Sequence, residues 1–429
     1  MTDLSTVLPT KSATVEAIEA YWLKRGKSEE PRGYLGASSI GKKCSRELWY
    51  SFRKCSEPDF SGRLYRLFNR GHREEPTFVE ELRGIGCEVH EFDSNGNQFE
   101  VIACDGHFKG HTDGAALGIP EAPKTWHLLE MKTSSKALFE KVKKNGVEKE
   151  KPEHFAQMQV YMHLTGLKRA LYMVVNKDTD ELYTERLRYD STKARAMIDK
   201  ASSIINATSP PERISEREDS WACKFCDAKA LCHGSEIAVT VPALSCRQCV
   251  HASPVADGKW HCAVNGSDAT KVCDQHLFLP GLVHFAEPTD SLTNKDGSAV
   301  IEFTSHDGTV WQHGPDRSAG QYDSNMLITL PTVTFLTGGD KKAEWTVETA
   351  TRPNLEAKFS LKEEGVICIW KGPVEDVRGE FDSRYAAPMT NPSHTQEGNG
   401  WAAAEFCGQL CCVIIYGKTA EIRETNIPF

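Results

Sequence analysis

Apolar residues recur at helical spacing over residues 13–27, where Val15, Ile18, Tyr21 and Trp22 share a face. A Gly-Ala-Ser-Ser-Ile-Gly turn follows at 36–41, and Cys44 then opens a helix with Leu48, Trp49 and Phe52. A longer helix is predicted over 61–83, carrying Leu64, Leu67, Phe68, Phe78, Val79 and Leu82. Strand-like runs come next, at 86–92, 98–104, 107–117 and 125–132. Helices are expected at 135–146 and 153–165, strands at 169–176 and 181–188, and a helix at 191–206. This α-β-β-β-α-β order behind a helical extension predicts an α/β fold, a mixed sheet flanked by helices.

Ser209-Pro210-Pro211-Glu212 punctuates the chain, and cysteine-rich material runs from 221 to 276. After Pro280-Gly281 the pattern shortens to alternating runs at 299–304, 326–336, 344–349, 366–370 and 410–416. Gly, Asp, Asn and Pro separate them, as in a β-rich domain. Three parts are expected: 1–235, a small metal-binding module at 240–284, and a β-rich domain at 285–429. The total of 429 residues is long for one domain. No internal repeat or low-complexity tract interrupts them.

Hydrophobic residues make up 39% and charged residues 26%, an ordinary globular composition. No apolar run approaches the ~20 residues that span a bilayer. Met1-Thr2-Asp3-Leu4-Ser5 lacks the basic-then-apolar layout of a signal peptide, so a cytoplasmic protein is expected. The net charge of −9 argues against a simple nucleic-acid-coating protein. Residues 285–429 hold 21 Asp/Glu against 12 Lys/Arg and so carry all of it; the rest balances at 39 each. The acidic last third suits a partner-binding face, and a local basic groove in the first part stays open.

The chemistry concentrates at Asp113 and at Glu130-Met131-Lys132. Glu130 and Lys132 are two apart and share one face of a strand. Met131 points to the core, leaving its carbonyl as a third oxygen ligand beside Asp113 and Glu130. Such oxygens suit Mg²⁺ or Mn²⁺, which neutralise charge at a phosphodiester while Lys132 orients the attacking water or aids its deprotonation. Lys136, Lys141, Lys143, Lys144, Lys149 and Lys151 follow closely, either as a solvated face or as phosphate contacts. Arg63, Arg66, Arg70 and Arg73 are the matching basic residues upstream. Tyr65, Phe68 or Trp49 are candidates to stack on an unpaired base, against the ordinary reading of core aromatics. His111 reads as a structural histidine.

These residues resemble the PD-(D/E)XK nuclease superfamily over roughly 35–235. Asp113 matches the motif aspartate and Glu130-Met131-Lys132 the E-x-K triplet. Glu75, with Glu74 as its neighbour, matches the helical glutamate of RecB-like and viral recombination exonucleases. Gln157-x-x-x-Tyr161 matches the Gln-x-x-x-Tyr helix of the RecB-like branch; Gln159 faces away from it. The motif proline is absent, Thr112 standing before Asp113. The resemblance implies catalytic roles for Glu75, Asp113, Glu130, Lys132, Gln157 and Tyr161. It further implies a metal-dependent deoxyribonuclease, with exonuclease action and, as a guess, 5′→3′ polarity. Recombination, repair or phage replication would be its setting, with a recombinase or helicase as partner. The rivals are a structure-specific endonuclease and a silent DNA- or protein-binding scaffold.

Fifteen cysteines are many for a reducing compartment, and metal is the better reading than disulfides. Cys55, Cys87, Cys104, Cys368 and Cys407 sit in apolar settings and read as packed thiols. Cys223, Cys226 and Cys232 need a fourth ligand, for which Cys44 is the candidate. One early and three late cysteines resemble the iron–sulfur nucleases, AddB-type helicase-nucleases and CRISPR-associated exonucleases, which implies a [4Fe-4S] cluster. Zinc, with His233 as a ligand, is the alternative. Cys246, Cys249, Cys262 and Cys273 have the spacing of a small zinc ribbon, with His276 able to replace one.

Overall fold

The structure is a computed structural model describing residues 12–29, 32–234, 239–305 and 308–329, and the backbone of six strands between 344 and 424. It divides into two compact units. The first joins Met1–His233 to Ser245–Lys271, and the second joins Gly234–Leu244 to Val272–Phe429.

The first unit opens with α1 (Ala13–Lys27), β1 (Leu35–Gly36), α2 (Ser45–Phe52) and α3 (Gly62–Gly84). Then come β2 (Glu88–His90), β3 (Glu100–Ala103), β4 (Phe108–His111), β5 (Ala115–Leu117) and β6 (His127–Ser134). Helices α4 (Lys136–Asn145), α5 (Val147–Glu150) and α6 (Pro152–Thr165) precede β7 (Arg169–Asn176), β8 (Leu182–Arg188), α7 (Ser191–Asn206) and α8 (Lys229–His233). Three short strands, β9 (Ala252–Pro254), β10 (Trp260–Cys262) and β11 (Ser267–Asp268), complete it.

The central sheet is mixed, in the order β2-β5-β6-β7-β8, with β6 and β7 parallel and the other neighbours antiparallel. A parallel pair needs a crossover, and α4–α6 supply it. Side chains alternate across β6 and β7. Leu129, Met131, Leu171, Met173 and Val175 face one way and pack with Phe78, Val79 and Leu82 of α3. Glu130 and Tyr172, opposite each other in register, face the other way, towards α6. A second sheet, β1-β4-β3, lies alongside in sequence.

The strand predicted over 107–117 is in fact two strands in different sheets. Thr112 donates its N–H to Phe99, and Gly114 then takes φ +122°. A Cβ there would meet the His90 carbonyl oxygen at 2.5 Å, so the turn between the sheets needs glycine. Helix α1 spans the predicted residues, but none of its side chains is buried, and Val15, Ile18 and Tyr21 are exposed. Its contact with α3 is a close backbone approach instead: a Cβ on Gly62 would lie 1.8 Å from the Glu19 carbonyl oxygen.

The sheet of β9–β11 is sewn onto α2 of the same unit. Arg53 is 1% exposed and donates to the carbonyls of Ala207 and Arg247. Its guanidinium lies 4.9 Å from the Trp260 ring centroid, with Arg247 5.2 Å from the same ring. Arg247 donates to the carbonyls of Phe52 and Gly33, and Gln248 to that of Lys54. Planar guanidiniums suit this stacking, because they hydrogen-bond in plane while covering a ring.

The second unit has β12 (Ala286–Thr293), β13 (Ala299–Ser305) and β14 (Val310–His313) as an antiparallel meander, followed by α9 (Ser324–Thr329). That helix corrects the strand expected at 326–336, whose remainder lies outside the described residues. Trp311 stacks on Phe303 and Phe285 in its core. His313, 0% exposed, accepts the Phe278 N–H at Nε2 and donates from Nδ1 to the Tyr322 carbonyl. Burial pushes it down to about 4, so it packs as a neutral ring.

Six further strands are β15 (Glu344–Thr349), β16 (Glu356–Leu361), β17 (Ile367–Lys371), β18 (Asn399–Phe406), β19 (Gln409–Tyr416) and β20 (Thr419–Glu424). They form one antiparallel sheet, β17-β16-β15-β20-β19-β18, so the last third is β-rich as its alternation predicts. The acidic partner face expected there falls largely outside the described residues. No helix among the described residues is long and apolar enough to cross a membrane.

Candidate active site

Asp113 stands at the junction between the two sheets, one residue before the Gly114 turn. Its Oδ2 accepts the Met131 N–H at 2.7 Å, which ties the junction to the middle of β6. Glu130 on that strand is 0% exposed. Its Oε2 accepts from Gln157 Nε2 at 3.0 Å, and its Oε1 lies 2.6 Å from Lys132 Nζ. That close approach is not a directed hydrogen bond, and Oε1 has no other partner. Lys132 Nζ donates to the Met131 carbonyl at 3.0 Å and lies 3.7 Å from Asp113 Oδ2.

Burial pushes Glu130 up to about 7, against the pull of Lys132. For Lys132 burial acts downward, but Glu130 and Asp113 outweigh it and its pKa stands above the ordinary lysine value. It is thus a charged donor, and its side chain as a whole keeps 28% exposure. Glu75 on α3 belongs to the same field. Burial and the Asp113 carboxylate raise it, while His72, at 3.4 Å, and Lys132 lower it. Pro76 next to it removes the backbone donor that the His72 carbonyl would otherwise meet.

Tyr161 completes the wall from α6. It is 2% exposed; burial raises its pKa, and the Glu130 and Asp113 carboxylates add to that while Lys132 opposes it. Gly110 makes room for it: a Cβ there would fall 2.3 Å from the Tyr161 hydroxyl oxygen. Gly110→Ala is therefore expected to destabilise the first unit by roughly 1–3 kcal/mol, read as an earlier midpoint in chemical denaturation. An unchanged midpoint would show that Tyr161 is not confined.

Glu75, Asp113, Glu130, Lys132, Gln157 and Tyr161 are thus brought together. Gln159 is elsewhere, holding the Arg188 carbonyl and the Asp190 N–H. The Met131 side chain is in the core and its carbonyl is engaged by Lys132. His154 and Tyr172, unassigned by sequence, hydrogen-bond at 3.2 Å on the same side of the sheet. His154 precedes Gln157 by one helical turn, and that spacing was readable; Tyr172 needed the strand register.

Among the described residues, no three His, Cys, Asp or Glu side chains form a metal-holding group. The donor set still fits a hard divalent ion: it is all oxygen, and Glu130 Oε1 is buried without a directed hydrogen bond.

The basic residues around the site are partly engaged. Arg70 donates to the Lys177 carbonyl, and the Lys136 N–H is capped by Asp178. Lys143 pairs with Glu181, whereas Lys141 and Lys144 are exposed on α4.

Cys44, Cys223, Cys226 and Cys232 line one cavity with Arg46 and Tyr50. Cys44 is the N-cap of α2, its Sγ accepting the Glu47 N–H. Burial pushes Cys226 up to about 11, with Cys44 and Cys232 adding to it, so these thiols share a field. His233 lines the same cavity. In the first unit Cys246 and Cys249 precede β9 and Cys262 lies on β10 opposite Ala252; Cys273 and His276 belong to the second. His276 Nδ1 pairs with Ser324 Oγ at 2.7 Å. Cys55 and Cys87 are buried thiols and Cys104 is half-buried. Cys368 is described by backbone alone, and Cys407 is outside the described residues.

No protein-family model and no curated protein matches the chain. Among solved structures it is similar to the alkaline exonuclease LHK-Exo from Laribacter hongkongensis, at 19% identity and TM-score 0.30, over 43% of this chain and 90% of that one. LHK-Exo in complex with dAMP matches at 19% identity and TM-score 0.31, over 44% and 90%. SSO0001 matches at 15% identity and TM-score 0.33, over 52% and 96%.

Proposed function

We propose that the chain is a Mg²⁺- or Mn²⁺-dependent deoxyribonuclease that degrades DNA from its ends. The observation that carries this is the meeting of Glu75, Asp113, Glu130 and Lys132, with Gln157 fixing Glu130. Asp113, Glu130 and the Met131 carbonyl would hold the ion, with Glu75 holding or orienting a second. The ion supplies charge neutralisation and an activated water at phosphorus.

The protein's own groups set the geometry. Asp113 and Met131 lock the two strands together, and Gln157 keeps one Glu130 oxygen occupied so that the other faces the site. Lys132, charged and partly exposed, donates to the water or to a phosphate oxygen; it serves as a donor, since neighbouring carboxylates hold its proton on. Exposed Lys141 and Lys144 offer phosphate contacts that position a strand without reading its sequence.

For the first thiol set we propose a [4Fe-4S] cluster, with zinc the alternative: four soft donors around one cavity suit either. For Cys246, Cys249 and Cys262 of the first unit we propose zinc, with the acidic last third as a protein-partner surface.

End-labelled linear DNA and covalently closed circles, each with Mn²⁺ or Mg²⁺ and with chelator, test the activity. Linear DNA is expected to be consumed and closed circles to stay intact, with no cleavage in chelator. Cleaved circles would replace end-dependent action by endonuclease action. Intact linear DNA with either metal would leave only a binding scaffold.

A further inference from the structure

Helix α6 carries one more polar residue on the stripe that faces β6. His154, Gln157 and Tyr161 follow at three and four residues, the spacing of one helix face. Gln157 reaches Glu130, and Tyr161 lies against Gly110. His154 reaches Tyr172, which is 1% exposed and stands opposite Glu130 in the parallel β6–β7 register. Residues opposite in such a pair project to the same side of the sheet. Lys132 lies two residues along β6 from Glu130, so Tyr172 and Lys132 stand on the same face of the sheet.

The direction of the hydrogen bond follows from the surrounding charge. Burial, with Lys132 and Lys151 adding to it, pushes His154 down to about 3, so the ring is neutral at working pH. Burial holds Tyr172 above the ordinary phenol value, so it keeps its proton. The pair then shares one proton between imidazole Nδ1 and the phenolic oxygen, 3.2 Å apart. Donation from Nδ1 would leave the hydroxyl proton to turn towards the Lys132 ammonium, positive end to positive end. Donation from the hydroxyl points the phenolic dipole the favourable way.

We propose that His154 and Tyr172 are positioning residues for Lys132, the imidazole accepting the Tyr172 hydroxyl proton and so holding the phenolic oxygen's lone pairs towards the ammonium. They lie on the α6 side of the sheet with Glu130, and they would keep the ammonium aimed at the reacting phosphate. This rests on the nuclease reading above. It adds a turn of α6 and a residue of β7 to the apparatus.

The test compares Tyr172→Phe, His154→Leu, His154→Gln and Lys132→Met. Tyr172→Phe and His154→Leu are each expected to lower kcat about tenfold, the effect of losing one neutral hydrogen bond. KM for DNA and the Mg²⁺ requirement should stay within about twofold. His154→Gln, whose amide oxygen accepts the hydroxyl proton, should recover most of the rate. The double variant Tyr172→Phe/His154→Leu should be no slower than either single one, because both remove one interaction. Wild-type kcat in Tyr172→Phe, or losses that multiply in the double variant, would overturn the proposal.

Should Lys132→Met retain full activity, the nuclease mechanism fails as well; if only Lys132→Met is impaired, this inference alone fails. A readout without catalysis is the ¹⁵N resonance of the Lys132 ammonium. It should shift in Tyr172→Phe and His154→Leu and move little in His154→Gln; an unmoved resonance in the first two overturns the proposal even in a protein that cuts no DNA.

Discussion

Lys132→Met is expected to lower metal-dependent DNA hydrolysis by about a thousandfold while the chain stays folded. Methionine keeps the aliphatic stem and removes only the charge, so packing beside Tyr172 and Glu130 is largely preserved. The loss is large because the ammonium faces both carboxylates, at 2.6 Å from Glu130 and 3.7 Å from Asp113. Removing it also leaves Glu130 buried without a counter-charge, and the carboxyl responds by holding its proton more tightly. More metal should then be needed at neutral pH than at pH 8, so the comparison belongs at saturating Mn²⁺ and at both pH values. Rates from end-labelled DNA, with circular dichroism to verify folding, decide it. A wild-type rate at saturating metal would remove Lys132 from the mechanism.

Cys44→Ala should have the second large effect. Anaerobically purified wild-type protein is expected to hold about four iron atoms and as much sulfide at the first thiol set, and the variant close to none. Thermal unfolding should begin several degrees lower, because a cluster held by Cys44 would tie the start of α2 to residues 223–232, which line the same cavity far along the chain. Cys87→Ala is the control: that thiol is buried in the α3 core, away from the cavity, and its loss should leave iron content unchanged. Zinc without iron in the wild-type protein would replace the cluster by a zinc site. Unchanged iron in Cys44→Ala would separate Cys44 from the set.

The site was legible where its signals were local. Asp113, the Glu130-Met131-Lys132 alternation and the α6 stripe follow from residue spacing, and the bounds of β7 and α7 coincide with their apolar runs. The rest depends on pairings that spacing does not encode. The run 107–117 reads as one strand because its break is a single Gly114 torsion. Tyr172 became part of the site only through its register with Glu130. Lys143 looks like a phosphate contact until the β7–β8 turn brings Glu181 to it. Val15, Ile18 and Tyr21 have helical periodicity, but periodicity does not say what covers a face, and here these side chains are exposed.

The stacking of Arg53 on Trp260 has a consequence for synthesis. Every residue of the candidate active site has been translated once Tyr172 is made, yet the Arg53 guanidinium has neither the Arg247 carbonyl nor the Trp260 ring until the β9–β10 hairpin is translated. At roughly 5–20 residues per second, the nascent chain waits on the order of ten seconds with a charged side chain still in water where the finished protein buries it. The first unit is therefore completed late, after the ribosome has already begun the second. A chain stopped at residue 235 would carry the full catalytic set and lack the piece that closes its core.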